Sequence, residues 1–387
     1  MVKPGLTVLQ VIPELDAGGA ERTTLEIAEA LTRTGNRALV VSEGGRMEAE
    51  LESLHGELFR LPVKSKSIFT IKKNQKAIEK IIREYGVDIV HARSRAPAWS
   101  AYWAARATGT AFVTTYHGAY GGKSAIKKWY NSVMARGDIV IANSHYIADH
   151  VKAVHGVPDE RIVTIQRGVD LHAFDAHKID PAERAAMRAQ YTTPEKRLAI
   201  LPGRLTDWKG QGVLIEALGR LPSDLLESCH FALIGDAQGR DGYVEDLKTA
   251  IDTYNLDELV SLSGHCSNMP VLYSACDLVL APSKRPEAFG RVAVEAQAMG
   301  KPVIASDHGG QRETVKHKET GWLVPPDDPD GLAQAISEWL HMPVDDCVHM
   351  SIAATDWARN TFSTELLQRK TLEVYSQVLK ERQETLH

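Results

Sequence analysis

The chain has 387 residues, 43% hydrophobic and 25% charged, a length that favours two domains over one oversized core and a composition ordinary for a folded protein. It contains no apolar run long enough to span a bilayer, and its four cysteines, Cys229, Cys266, Cys276 and Cys347, have neither CxxC pairing nor the His spacing of a zinc site, so they read as reduced thiols. The net charge of −5 is unevenly spread: residues 1–172 carry +5 and the remainder −10, while Arg60 to Arg136 holds 15 basic residues against Glu79, Glu84 and Asp88. An excess of that size either steers an anionic partner or membrane surface towards this part of the chain, or is a solvated basic face with no partner.

The N-terminus enters a strand-like run at once, without the h-region and cleavage site of a signal peptide, which points to a cytoplasmic protein. In chain order the strand candidates are Leu6–Ile12, Arg37–Ser42, Val87–His91, Ala111–Thr115, Asp138–Ala142 and Ile162–Ile165. The second half adds Leu198–Pro202, Phe231–Ile234, Leu259–Leu262, Leu278–Ala281, Val303–Ala305 and Trp322–Val324. Helical patterns alternate with them, such as Glu21–Thr34, with Leu25, Ala28 and Leu31 on one face and Gly35 to end it. Such alternation predicts α/β domains with parallel sheets covered by helices on both faces. A polar stretch from Asp175 to Lys196 is taken as the connection between a first domain over 1–175 and a second over 190–364, and residues 365–387 as a charged amphipathic helix. Ligands of doubly wound sheets sit beyond the carboxyl ends of the strands, in a cleft. The polar residues that follow the strands are therefore the candidates.

After the first strand, Gly18-Gly19-Ala-Glu21 opens a helix. Paired glycines let the backbone approach a ligand and the helix N-terminus attracts phosphate, although a plain strand–helix turn looks the same. After Ala111–Thr115 comes His117-Gly118, placed to meet a hydroxyl or a sugar oxygen, or simply structural. The following Gly118-Ala-Tyr-Gly-Gly-Lys-Ser124 is one residue short of a phosphate-binding GxxxxGK[ST] loop and is rejected as one. Its Lys123, with Lys127 and Lys128 among Tyr120, Trp129 and Tyr130, suits an anionic or amphiphilic acceptor.

In the second half Gly203-Arg204 leads through Lys209-Gly210 to a helix beginning near Gln211. Two cations at a glycine-flanked helix start can neutralise a diphosphate; otherwise they are exposed surface charges. The segment Glu287-Ala-Phe289-Gly290-Arg291-Val-Ala-Val-Glu295 follows the strand Leu278–Ala281 and starts a helix near Gly290 that closes at Gly300. Glu287 in the loop can accept from sugar hydroxyls, and Glu295 from both hydroxyls of a ribose. Gly290 and Arg291 stand where a phosphate meets the helix dipole.

Taken together, Glu287-x7-Glu295, Gly203-Arg204 with Lys209-Gly210, Gly18-Gly19-Ala20-Glu21, His117-Gly118 and Arg167-Gly168-Val169-Asp170 resemble the group 1 (family 4) retaining glycosyltransferases, over nearly the whole chain. Arg167 stands where that family more often has Asn. The resemblance implies the GT-B fold, two Rossmann-like domains facing a cleft, with the last helix crossing back to the first domain. It also implies a nucleotide-sugar donor and no metal or other cofactor. On this likeness Arg204 and Lys209 bind the donor diphosphate, Glu295 the ribose and Glu287 the transferred sugar. Gly18 and Gly19 close over the phosphates, Gly203, Phe289, Gly290 and Arg291 complete the donor site, and His117 contacts sugar or acceptor.

The segment Val90-His-Ala-Arg-Ser-Arg-Ala-Pro-Ala-Trp99 is similar to bacterial enzymes that add mannose or related hexoses to the lipopolysaccharide core. That likeness implies GDP-mannose as first donor, UDP-hexoses next, an anionic glycolipid acceptor, and a peripheral place at the inner face of the cytoplasmic membrane, with no nucleic acid. A nucleotide-sugar epimerase, a phosphorylase (for which no pyridoxal lysine is identified) and a two-lobed sugar-binding protein are the competing readings.

Overall fold

The computed structural model describes residues 5–16, 18–121 and 124–385. Contacts divide the chain into two units, one of residues 1–168 with 364–387 and one of residues 169–363. The first holds a seven-stranded sheet: β1 (Thr7–Val11), β2 (Arg37–Ser42), β3 (Glu57–Arg60), β4 (Ile89–Ala92), β5 (Ala111–Tyr116), β6 (Ile139–Ala142) and β7 (Ile162–Thr164). Their order is β3-β2-β1-β4-β5-β6-β7 and every pair is parallel. β1, β4, β5 and β6 are buried along their whole length, as β-branched runs covered by helices on both faces should be. β3 is absent from the sequence reading: Glu-Leu-Phe-Arg is a four-residue edge strand with charged ends, too short to show a period.

The helix Thr364–Thr385 packs on this unit. Its Leu367, Leu372, Val374, Tyr375 and Val378 join a core with Leu25, Ala28 and Leu31 of the helix Gly19–Arg33. Gln368 Nε2 donates to the Glu26 carbonyl at 2.8 Å, and Arg382 holds Asp138 at 2.9 Å.

The second unit holds β8 (Arg197–Pro202), β9 (Cys229–Ile234), β10 (Val260–Leu262), β11 (Leu278–Ala281), β12 (Val303–Ser306) and β13 (Gly321–Val324). All are parallel, in the order β10-β9-β8-β11-β12-β13. The stretch 175–196 differs from the sequence reading. It is a packed part of this unit, with the helix Pro181–Ala189 inside it. Ala176, Ile179, Met187 and Tyr191 lie against the core, and Arg188 holds Asp277 at 2.8 Å. Its apolar residues at wide intervals among charges hide that packing from composition.

Chain order reverses between β1 and β4 in the first sheet and between β8 and β11 in the second. At such switch points the flanking loops diverge and leave room for a ligand at the strand carboxyl ends.

Candidate functional site

The loops after β8 and β11 bring the second unit's polar residues together. After β8 the chain passes Gly203 and Arg204 to a tight turn, Asp207–Lys209, and then Gly210, with φ +83°, before the helix Gln211–Leu218. A Cβ on Gly210 would stand 2.0 Å from the Pro282 carbonyl oxygen, so only glycine lets the two loops close on each other. Lys284 N also donates to the Trp208 carbonyl at 2.8 Å. The result is direct contact between residues 78 apart: Lys209 Nζ lies 2.8 Å from Glu287 Oε1, with both side chains largely buried.

Glu287 is held from several sides. Its Oε1 also accepts from Ser283 Oγ at 2.6 Å, and its carbonyl accepts from Gly310 N at 2.8 Å. His308 Nε2 donates to the Ser283 carbonyl at 2.8 Å, and burial lowers its pKa, which keeps this imidazole neutral at pH 7. Arg204, by contrast, is exposed at the loop surface and makes no ion pair among the described residues. Its carbonyl accepts from Gln211 Nε2 at 3.0 Å, which fixes the backbone while leaving the guanidinium available.

The helix Arg291–Ala298 begins after Gly290 and carries Glu295 one turn in. Glu295 is buried, with Oε1 accepting from Arg291 Nε at 2.5 Å and Oε2 from the Tyr273 hydroxyl at 3.2 Å. Burial first, and the Glu295 charge second, push the Tyr273 phenol well above its usual range. It therefore stays a donor to Glu295. Phe289, a residue of the expected donor set, has a buried side chain. Its ring is only 4% exposed, packed with Val169, Val294, Ala298 and Phe362, and serves the core. Beside the β8 loop lies a depression of about 320 Å³ lined by Thr206, Asp207, Trp208, Arg240, Tyr243 and Arg285.

On the first unit the residues after β1, β4, β5 and β7 meet. A Cβ on Gly19 would stand 1.8 Å from Arg167 Nη1, so the Arg167 guanidinium lies directly against the Gly18–Gly19 turn. Arg167 Nη2 also donates to His117 Nδ1 at 3.2 Å. That contact leaves the proton of a neutral His117 on Nε2, which is buried with no partner among the described residues. Burial, then Arg167, then Arg93 hold His117 well below the usual histidine pKa. Arg93 is itself buried, donating from Nε to Gln10 Oε1 at 2.6 Å. Neither Arg93 nor Arg167 belonged to the expected site; they follow different strands and meet only through the strand order.

Lys127 and Lys128 are exposed on the helix Ala125–Asn131, which is capped by Ser124 Oγ. Lys123 lies outside the described residues. Among the described residues no three His, Cys, Asp or Glu side chains gather as a metal site, and no helix is long and apolar enough to cross a membrane.

Residues 17–173 match the family described as Glycosyltransferase Family 4, and residues 183–357 the family described as Glycosyl transferases group 1. A solved structure of a glycosyltransferase from Rickettsia africae ESF-5 is similar over 97% of this chain and 99% of its own, at 36% identity and a TM-score of 0.90. A D-inositol 3-phosphate glycosyltransferase of Catenulispora acidiphila is 33% identical over 55% of this chain and 51% of its own length. A GDP-mannose-dependent α-(1-6)-phosphatidylinositol monomannoside mannosyltransferase of Mycobacterium tuberculosis is 28% identical over 60% of each. The chain thus spans only about half to three-fifths of the curated relatives it matches.

Proposed function

This chain belongs to the glycosyltransferases that join a family 4 to a group 1 domain, and from that premise we propose that it transfers a hexose, mannose from GDP-mannose first, to an anionic glycolipid of lipopolysaccharide-core type. The Lys209–Glu287 contact carries the reading, because it sets a cation and a carboxylate side by side at a sheet switch point. In this assignment Lys209, Arg204 and the helix start at Gly290 take the donor diphosphate, Glu295 the ribose and Glu287 the hexose hydroxyls. Gly203 and Arg291 border that site. On the first unit Gly18, Gly19 and His117 serve the reaction, and Lys127, Lys128 and Lys123 draw in the acceptor's anionic group. The mannosyl and inositol-phosphate chemistry in the names of the Mycobacterium and Catenulispora relatives supports a hexose donor and an anionic acceptor. Such an acceptor places the enzyme at the inner face of the cytoplasmic membrane.

Glu287 is assigned to the hexose hydroxyls and Glu295 to the ribose, so neither carboxylate is given the role of a covalent nucleophile. The proposed transfer is therefore front-face. The acceptor oxygen bonds to the anomeric carbon as the carbon–phosphate oxygen bond breaks, and the acceptor proton passes to the departing diphosphate. Lys209 and Arg204 stabilise the charge that develops on that leaving group. Thermal melting tests the reading. GDP or UDP should raise the melting temperature and free mannose should not; stabilisation by free sugar alone would fit a sugar-binding protein and reject a transferase. The larger shift of the two diphosphates names the base.

A further inference from the structure

We propose that the first unit carries a lipid-docking face, built by the start of the helix Ile68–Tyr85 and by the helix Ala125–Asn131, that seats on an anionic bilayer. Single exposed apolar side chains are ordinary on a soluble surface, whereas a cluster of large ones marks a site for a partner or a membrane. Here Phe69 is 85% exposed, Ile126 80%, and Ile68 and Trp129 53% each. Ile68 and Phe69 occupy the first turn of their helix. Ile126 and Trp129 are three apart, on one side of a helix exposed from Ala125 to Trp129.

A row of packed rings makes the two helices one surface. Lys72, one turn after Phe69, sets its ammonium 4.3 Å from the Trp103 ring centroid. Trp103 lies 5.3 Å from Trp99, and Trp99 stacks on Trp129 at 4.3 Å. Trp99 Nε1 donates to the Tyr130 carbonyl at 3.1 Å, which fixes the base of the second helix.

The charge on this surface selects the occupant. Lys66, Lys73, Lys127 and Lys128 are exposed and make no ion pair among the described residues. Of the three acids in this region, Glu79 is buried against Lys76, Asp88 accepts from Thr7 N at 2.9 Å, and Glu84 is exposed at the far end of the helix from Phe69. A nucleic acid or an acidic protein would match the lysines and leave an exposed Phe and Ile without a use. A bilayer with anionic headgroups takes both, with ammonium groups at the phosphates and the apolar tips at the boundary of the acyl chains. Trp suits that boundary because its ring is apolar and its N–H is polar. The inference rests on the reading of the acceptor as a membrane glycolipid.

The test uses the full chain and plain vesicles that contain no glycolipid, so that docking is separated from acceptor recognition. Phosphatidylcholine vesicles with phosphatidylglycerol should sediment at least about tenfold more protein than phosphatidylcholine alone, with an advantage that shrinks as salt rises. Combining Phe69→Ser with Ile126→Ser should lower binding to the anionic vesicles about tenfold while the GDP-induced melting shift stays as in the parent. That retained shift also shows that the variant is folded. Lipids brominated in the acyl chains should quench tryptophan emission, and Trp129→Phe should remove most of the quenching. Equal binding to neutral and anionic vesicles, or a double variant that binds like the parent, would overturn the proposal. A lost GDP shift in the parent with vesicle binding intact would instead reject the transferase reading and leave the docking face standing.

Discussion

The ammonium of Lys209 and the carboxylate of Glu287 lie 2.8 Å apart, each side chain only 14% exposed. Glu287 keeps Ser283 as a second partner at 2.6 Å, so losing the lysine leaves a carboxylate that is still hydrogen-bonded. Lys209→Ala should therefore cost about 1–3 kcal/mol of stability and about 100- to 1,000-fold in kcat, because a preorganised cation beside a developing phosphate charge is removed. Transferase assays together with urea denaturation check the split. A variant with near-normal turnover would remove Lys209 from the site.

Glu295 gives a different signature. It is assigned to the ribose, which is bound alike in ground and transition states, and such uniform binding appears in KM and not in kcat. Tyr273→Phe deletes the hydroxyl that donates to Glu295 Oε2 at 3.2 Å. One lost hydrogen bond of about 1 kcal/mol corresponds to a rise of about fivefold in donor KM with kcat little changed. Glu295→Ala should raise donor KM further. Initial rates over a donor series distinguish this from a catalytic defect.

Two neighbouring glycines separate backbone need from helix propensity. At Gly210 an added methyl would meet the Pro282 carbonyl oxygen, and φ is +83°. Gly210→Ala should lower stability by at least about 2 kcal/mol and disturb the Lys209–Glu287 contact. Gly212 lies in the helix Gln211–Leu218, with no other atom near the place of its missing Cβ. Gly212→Ala should be neutral or stabilising by up to about 1 kcal/mol. Calorimetric melting of both variants reads the difference.

Those contrasts also mark what a linear sequence can reveal. Eleven of the thirteen strands lie in runs rich in Val, Ile, Leu and Ala, and a parallel sheet buried on both faces requires such runs. The ladder partners of those runs are another matter. Arg93, Arg167, His117 and Gly19 meet because β1, β4, β5 and β7 end on one edge of one sheet, an order that no local pattern encodes. Glycine flanks and helix starts single out Lys209 and Glu295 as candidates, whereas the contacts of Tyr273, Ser283 and His308 run across loops and leave no local signal. Phe289 adds a further case, because no local pattern tells that its ring packs into the core with Val169, Val294, Ala298 and Phe362.

Acid sensitivity should follow from His91. The ring is fully buried, with Nδ1 2.6 Å from the Tyr375 hydroxyl and Nε2 2.7 Å from Thr115 Oγ1. Burial, then the Arg93 charge, then His117 hold its pKa well below the usual 6.5. Below pH 6.5 the unfolded chain takes up a proton at this histidine that the folded chain refuses. The stabilisation is therefore present above that pH and declines as pH falls towards the folded-state pKa, by up to about 1.4 kcal/mol per pH unit. His117 is depressed by the same causes and adds to the slope in the same direction. Because Tyr375 belongs to the helix Thr364–Thr385, protonating His91 puts a second buried cation near Arg93 at the contact that ties this helix to the first sheet. Urea denaturation at about pH 7.5 and about pH 5.5 should show the loss, and amide exchange should report the C-terminal helix opening early in acid. His91→Gln keeps a polar side chain that cannot titrate, and should flatten the pH dependence at some cost in stability at neutral pH. An unchanged slope in that variant would mean that other groups set the acid limit.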